Sequence, residues 1–123
     1  IAIFDDNKNI RDSIKMLLQT EPSFEVVGSF SNVFDCVDDV IECRPDIVLM
    51  DIQMPNLDGI EATKIIRQSS DENVKNILVV AFTADASVDN HRELLKIGFD
   101  HCMTKPFNPE TLFSFLKRNY KAA

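Results

Sequence analysis

The 123 residues suit one domain with a single core, and 45% hydrophobic against 27% charged residues is the ordinary balance of a globular chain. Thirteen basic and twenty acidic residues leave a net charge of −7, which argues against nucleic acid or an anionic membrane as a direct partner. No apolar run reaches the roughly 18 residues of a bilayer span, and no signal peptide opens the chain.

Strand-like and helix-like segments alternate five times. Ile1-Ala2-Ile3-Phe4 is a short apolar run closed by Asp5 and Asp6. It opens inside a strand without an initiator Met, so the chain is expected to be a piece of something longer. Ile10, Ile14, Leu17 and Leu18 follow the i, i+4, i+7, i+8 spacing of an amphipathic helix, which Pro22 ends. Phe24 to Phe30 reads as a second strand with Gly28 inside it. Val33, Val37, Val40 and Ile41 repeat the helical spacing up to Pro45.

Asp46 to Asp51 is nearly all apolar, as a strand covered on both faces should be. Asp58-Gly59 opens a third helix containing Ile60, Thr63, Ile66 and Arg67. Ile77 to Phe82 is the most hydrophobic strand, and Thr83 follows it. Ser87 to Ile97 is the fourth helix, with Gly98 as its C-terminal cap. Phe99 to Met103 is a short fifth strand that leads to Lys105, and Pro109 starts a last helix from Glu110 to Tyr120.

Strict β/α alternation calls for parallel strands, right-handed crossovers and helices on both faces. The predicted fold is α/β, one doubly wound (βα)5 unit over residues 1–123 with no linker or repeat. In the doubly wound order 2-1-3-4-5, strands 1 and 3 are neighbours, and ligands bind outside the carboxyl ends of the strands. Asp5, Asp6 and Asp51 then lie side by side, with Thr83 and Lys105 on the same edge. Three carboxylates crowd unfavourably unless a cation joins them. An oxygen-only donor set with room for phosphate points to Mg²⁺. Lys105 adds a second positive charge, and Thr83 adds a hydroxyl donor for a phosphoryl oxygen. Transfer of a phosphoryl group to a carboxylate needs mainly positioning and charge neutralisation.

Asp5-Asp6, then Leu49-Met50-Asp51-Ile52-Gln53-Met54-Pro55 with Asp58-Gly59, then Thr83-Ala84, then Lys105-Pro106-Phe107, together resemble the receiver domain of two-component response regulators from end to end. Each motif alone is weak, whereas five in order at strand ends are specific. The resemblance implies a flavodoxin-like fold; a chemotaxis receiver is an established example of the 2-1-3-4-5 order. It implies that Asp51 accepts a phosphoryl group from a histidine kinase or histidine phosphotransfer protein. Asp5, Asp6, Asp51 and the backbone carbonyl of Gln53 would hold Mg²⁺, with Asp6 a more direct ligand than Asp5. Thr83 would hydrogen-bond the phosphoryl group and move on activation, shifting the fourth helix region, and Lys105 would pair with Asp51 or its phosphate. The Lys105-Pro106 peptide bond is expected to be cis. The chain would be a cytoplasmic phosphorelay module rather than an enzyme, assisting only its own phosphorylation and dephosphorylation. An output domain outside this chain and a weak homodimer on phosphorylation are further expectations.

One position departs from the pattern. Receivers usually carry Tyr, Phe or His three residues before the Lys, and here that residue is Cys102, with His101 on the opposite face of the strand. A thiol cannot report the Thr83 movement by ring rotation. Cys36, Cys43 and Cys102 form no CxxC pattern and read as reduced core thiols. His91 and His101 read as surface or hydrogen-bonded histidines. Asp85 reads as a solvated acid near the pocket mouth; with Gln53 it is placed to influence attack of water on the phosphate. In the last helix the apolar stripe is mostly core, and Phe113 is a candidate docking residue.

Other readings carry their own signatures. An Asp-nucleophile phosphatase uses DxDx[TV] at its first strand and an inserted cap, whereas Asp5 and Asp6 are adjacent and Asp51 lies on another strand. A nucleotide or flavin binder would carry GxGxxG after strand 1, and the only glycines are Gly28, Gly59 and Gly98. A pseudo-receiver that binds without phosphorylation usually loses one of the five residues kept here.

Overall fold

The structure, a computed structural model, describes residues 1–52, 58–84, 87–105 and 108–119. Its elements in chain order are β1 (Ala2–Phe4), α1 (Lys8–Gln19), β2 (Gly28–Phe30), α2 (Cys36–Cys43), β3 (Ile47–Asp51), α3 (Gly59–Arg67), α4 (Glu72–Lys75), β4 (Leu78–Thr83), α5 (Val88–Ile97), β5 (His101–Thr104) and α6 (Pro109–Asn119). The five strands form one parallel sheet in the order β2-β1-β3-β4-β5, as predicted.

The period of two along each strand divides the core into two layers. Ala2, Phe4, Val48, Met50, Val79 and Ala81 face α2, α3 and α5. Ile1, Ile3, Ile47, Leu49, Val80 and Phe82 face α1 and α6. Residues 47–51 are all buried, which explains why β3 reads as an unbroken apolar run.

Polar residues set the helix ends. The side chain of Asn7 accepts from the Asn9 and Ile10 N–H groups, Asp58 from Glu61 and Ser87 from Asn90. Gly98 closes α5 with φ of 135°, and its N–H donates to the Leu94 carbonyl at 3.3 Å.

Four local readings change. The second strand is Gly28–Phe30 rather than Phe24 to Phe30, because β1 offers register partners only to those three residues. The Phe24 N–H turns back to the Glu21 carbonyl, and its ring packs 6.1 Å from that of Phe113. Helix α2 begins at Cys36; Val33 is buried ahead of it and accepts from the Cys36 N–H. The short helix α4 was not anticipated, since Val74 is its one buried apolar residue, but Asp71 caps it through the Asn73 and Val74 N–H groups. Strand β5 is His101–Thr104, two residues on from its expected start.

Candidate functional site

Parallel pairing of β1 with β3 sets Phe4 against Met50, so the residues that follow, Asp5 and Asp51, emerge together. Asp51 is itself in register with Phe82, one residue before Thr83. Asp5, Asp51 and Thr83 are buried, while Asp6 is exposed. One carboxylate oxygen from each of Asp5, Asp6 and Asp51 lies within 4.8 Å of the others.

Asp5 is held at every backbone and side-chain position. Its N–H donates to the Phe30 carbonyl at 3.0 Å, and its own carbonyl accepts from Arg11 Nη1 at 2.7 Å. Its Oδ1 accepts from the Asn7 N–H at 2.9 Å. Behind Asp51, a Cβ at position 59 would collide with the Asp51 carbonyl oxygen, so only glycine lets α3 start this close.

Lys105 reaches the same spot from the end of β5. Its N–H donates to the Thr83 carbonyl at 2.8 Å, continuing the β4–β5 ladder by one residue. Its Nζ stands 3.1 Å from Asp5 Oδ2 and 3.1 Å from Asp51 Oδ1. Burial alone would lower the ammonium's pKa, but the hydrogen bond and charge of Asp51, then those of Asp5, raise it above the ordinary value. Lys105 therefore stays charged at neutral pH. Three carboxyl groups against one ammonium give a formal charge of −2, and the donors are all oxygen, so the cluster can hold a hard divalent cation.

Asp5, Asp6, Asp51 and Lys105 are thus brought together as predicted, with Thr83 at the adjoining strand end. Gln53 and its carbonyl, Asp85, and the Lys105-Pro106 bond expected to be cis lie outside the described residues. Two contributors were not anticipated. Arg11 fastens the Asp5 carbonyl, and Asn90 Nδ2 donates to Thr83 Oγ1 at 3.3 Å. The signal for Arg11 was the helical spacing that returns it over the strand end. Asn90 had no comparable signal, because it lies seven residues beyond Thr83 on a different element.

Cys102 is half-buried against the α2–α5 layer, in register with Ala81, and burial pushes its thiol pKa up. His101 faces the other layer, as expected, with its ring stacked 4.4 Å from that of Phe115. Burial, and then the nearby Arg118 and His91, lower its pKa. His91 is half-buried, and its Nε2 is buried and lacks a hydrogen-bond partner among the described residues. The Phe113 ring packs on Phe24 in the core. The three cysteines are free thiols. A cavity of about 590 Å³ lies by α2 and α4, is lined by residues such as Val40, Arg44 and Asp71, and shares no residue with the carboxylate cluster.

The family model for the response regulator receiver domain matches residues 1–117. The transcriptional regulatory protein DegU of Brevibacillus brevis is 35% identical over 118 residues, covering 95% of this chain and 48% of that protein. The chain spans about half or less of the length of the curated relatives it matches. Among solved structures, the chemotaxis protein CheY4 of Vibrio cholerae is 28% identical with a TM-score of 0.82, covering 96% of this chain and 95% of that one. The response regulator domain of Thermotoga maritima CheB is 26% identical with a TM-score of 0.83, covering 99% and 96%.

Proposed function

The chain belongs to the response regulator receiver domain family, and from that membership we propose that Asp51 is its phosphoacceptor, charged by a histidine kinase or histidine phosphotransfer protein. One observation carries the assignment: Lys105 Nζ bridges Asp5 Oδ2 and Asp51 Oδ1 at 3.1 Å each, beside a cluster that retains two negative charges.

In this reading an Asp51 carboxylate oxygen attacks the phosphorus of a phosphohistidine. A P–O bond forms, the P–N bond breaks, and its electron pair returns to the imidazole of the donor. Lys105 neutralises charge on the phosphoryl oxygens, and Thr83 donates its hydroxyl to one of them. Asp5, Asp6, Asp51 and the Gln53 carbonyl would hold Mg²⁺, whose fit rests on the oxygen donors and the −2 charge; when bound it offsets charge on the transferred group. Asp5, fixed by Asn7 and Arg11, serves to hold rather than to react. Water later attacks the phosphorus, the bond between phosphorus and the Asp51 oxygen breaks, and inorganic phosphate leaves with the Asp51 carboxylate restored.

The domain is a signalling module. Its cytoplasmic location, an output domain elsewhere in the parent protein and weak pairing of phosphorylated copies belong to the same proposal. Among the described residues no helix is long and apolar enough to cross a membrane.

The test is incubation with acetyl phosphate and Mg²⁺ followed by intact-mass measurement. A mass increase of one phosphoryl group is expected in the wild type and absent both in Asp51→Asn and in EDTA. An adduct that persists in either condition removes the assignment.

A further inference from the structure

Two large apolar side chains remain at the surface side by side. Phe34, in the turn that leads into α2, is 59% exposed, and Ile65, on α3, is 43% exposed. With Val37, Asp35 and Asp38 they line one hollow of about 110 Å³. A lone exposed apolar residue needs no explanation, but two around one hollow form a patch. The hollow is too small for a drug-sized molecule, whose sites run to about 300–1,000 Å³.

The rim has a single charge sign. Asp35, Asp38, Asp39 and Glu42 lie on α2 or at its cap, and none takes part in an ion pair among the described residues. Burial, and then the charges of Asp35, Glu42 and Asp38, raise the pKa of Asp39, a mark of how crowded these acids are. On α3, Lys64, the sequence neighbour of Ile65, pairs with Glu61.

We propose that this hollow docks a partner protein through a basic amphipathic segment. One or two apolar side chains of that segment enter between Phe34 and Ile65, while its Lys or Arg residues face Asp35, Asp38 and Asp39. Charge decides among the possible occupants. A second copy would set acid against acid between chains of net charge −7. An anionic bilayer is disfavoured for the same reason. A basic segment gains both steering and apolar burial, the usual division of labour when a helix lies in a groove.

The test uses the ¹⁵N-labelled chain and a synthetic amphipathic peptide of Leu and Lys, with a control peptide in which Glu replaces every Lys. Shift changes should centre on Phe34, Val37 and Ile65 and weaken as salt rises. Phe34→Ser combined with Ile65→Ser should weaken binding on the order of tenfold. Met16→Ser, at an exposed apolar residue on α1, should leave it unchanged. Equal binding of the Glu peptide overturns the proposal. So do shifts confined to Asp5, Asp6 and Asp51, or no shifts at Phe34 and Ile65. Self-association of the chain that disappears in the double variant would assign the hollow to a second copy, and overturns it as well.

Discussion

Asn90 Nδ2 donates to Thr83 Oγ1 at 3.3 Å, tying the first turn of α5, capped by Ser87, to the end of β4. This bond joins the residue proposed to follow the phosphoryl group to the helix proposed to move with it. If Thr83 is drawn toward Asp51, the bond must stretch, so it favours the resting arrangement. A neutral hydrogen bond contributes about 0.5–1.5 kcal/mol net. Asn90→Ala should therefore bind the phosphoryl mimic BeF3⁻ more tightly, by a factor of about 3–10 given that range. Fluorescence or calorimetric titration measures this, and weaker binding would place the bond in the activated state instead. Hydrogen exchange with BeF3⁻ should change most at residues 83–90. Changes centred on His101, Cys102 and Met103 with residues 83–90 unaffected would sink this route.

Lys105 is the counter-ion of two buried carboxylates, so its removal leaves them facing each other. Lys105→Met should lower stability at pH 7 by about 1–3 kcal/mol, less than a fully buried pair because the side chain is partly exposed. The pH dependence has a definite sign. The folded-state pKa of Lys105 is raised above its ordinary value of 10.5, so its contribution is complete below 10.5 and fades as pH climbs through the folded value. Urea unfolding at pH 7 and again above 10.5 should show wild type and Lys105→Met converging at the alkaline end. A gap that is constant across this window would mean that the ammonium's charge is not what stabilises the site.

The sheet and its reactive edge were legible because both rest on local pattern. Apolar runs such as Ile47-Val48-Leu49-Met50 mark buried strands, and a polar residue closing each run must emerge at a common edge once the strands are parallel. What escaped depended on distant partners. Phe24 to Val27 has strand-like composition, but β1 pairs with Gly28–Phe30 alone. Helix α4 rests on the Asp71 cap rather than on a periodic face. The Asn90–Thr83 bond and the burial of His91 Nε2 both depend on where α5 sits against the sheet. Alternation alone set Cys102 and His101 on opposite faces of β5, and the structure keeps them in different layers.

The uncompensated charge of the acidic cluster makes a prediction about metal ions. Asp6 is the exposed member, and its charge opposes those of Asp5 and Asp51 in the metal-free chain. With the proposed Mg²⁺ site, Asp6→Asn should raise the melting temperature in EDTA and remove most of the further rise expected on adding Mg²⁺ to the wild type. A site filled at a hundred times its Kd contributes about 2.7 kcal/mol, ample to see by melting. The discriminating result is the difference between EDTA and Mg²⁺ curves for the two proteins. An undiminished Mg²⁺ response in Asp6→Asn would show that the cation is held elsewhere.

Arg67 supports the opposite edge of the molecule and predicts a loss of stability without a loss of chemistry. Its guanidinium donates to the carbonyls of Gly98, Lys75 and Ile77 at 2.9, 2.8 and 2.6 Å, and to Asp100 Oδ2 at 2.8 Å. The same Asp100 oxygen accepts from the Val79 N–H at 2.9 Å, so one fork joins α3, the end of α4, the start of β4 and the turn before β5. Only a planar group with several donors can serve all these acceptors at once. Arg67→Ala should cost about 2–4 kcal/mol, since part-buried carbonyls lose their donors. Arg67→Lys should recover less than half of that, because an ammonium has no fork. Denaturant unfolding gives both values, and acetyl phosphate labelling of the folded variants should proceed as in the wild type. A loss under about 0.5 kcal/mol in Arg67→Ala, the range of ordinary surface substitutions, would show that water replaces the guanidinium at little cost.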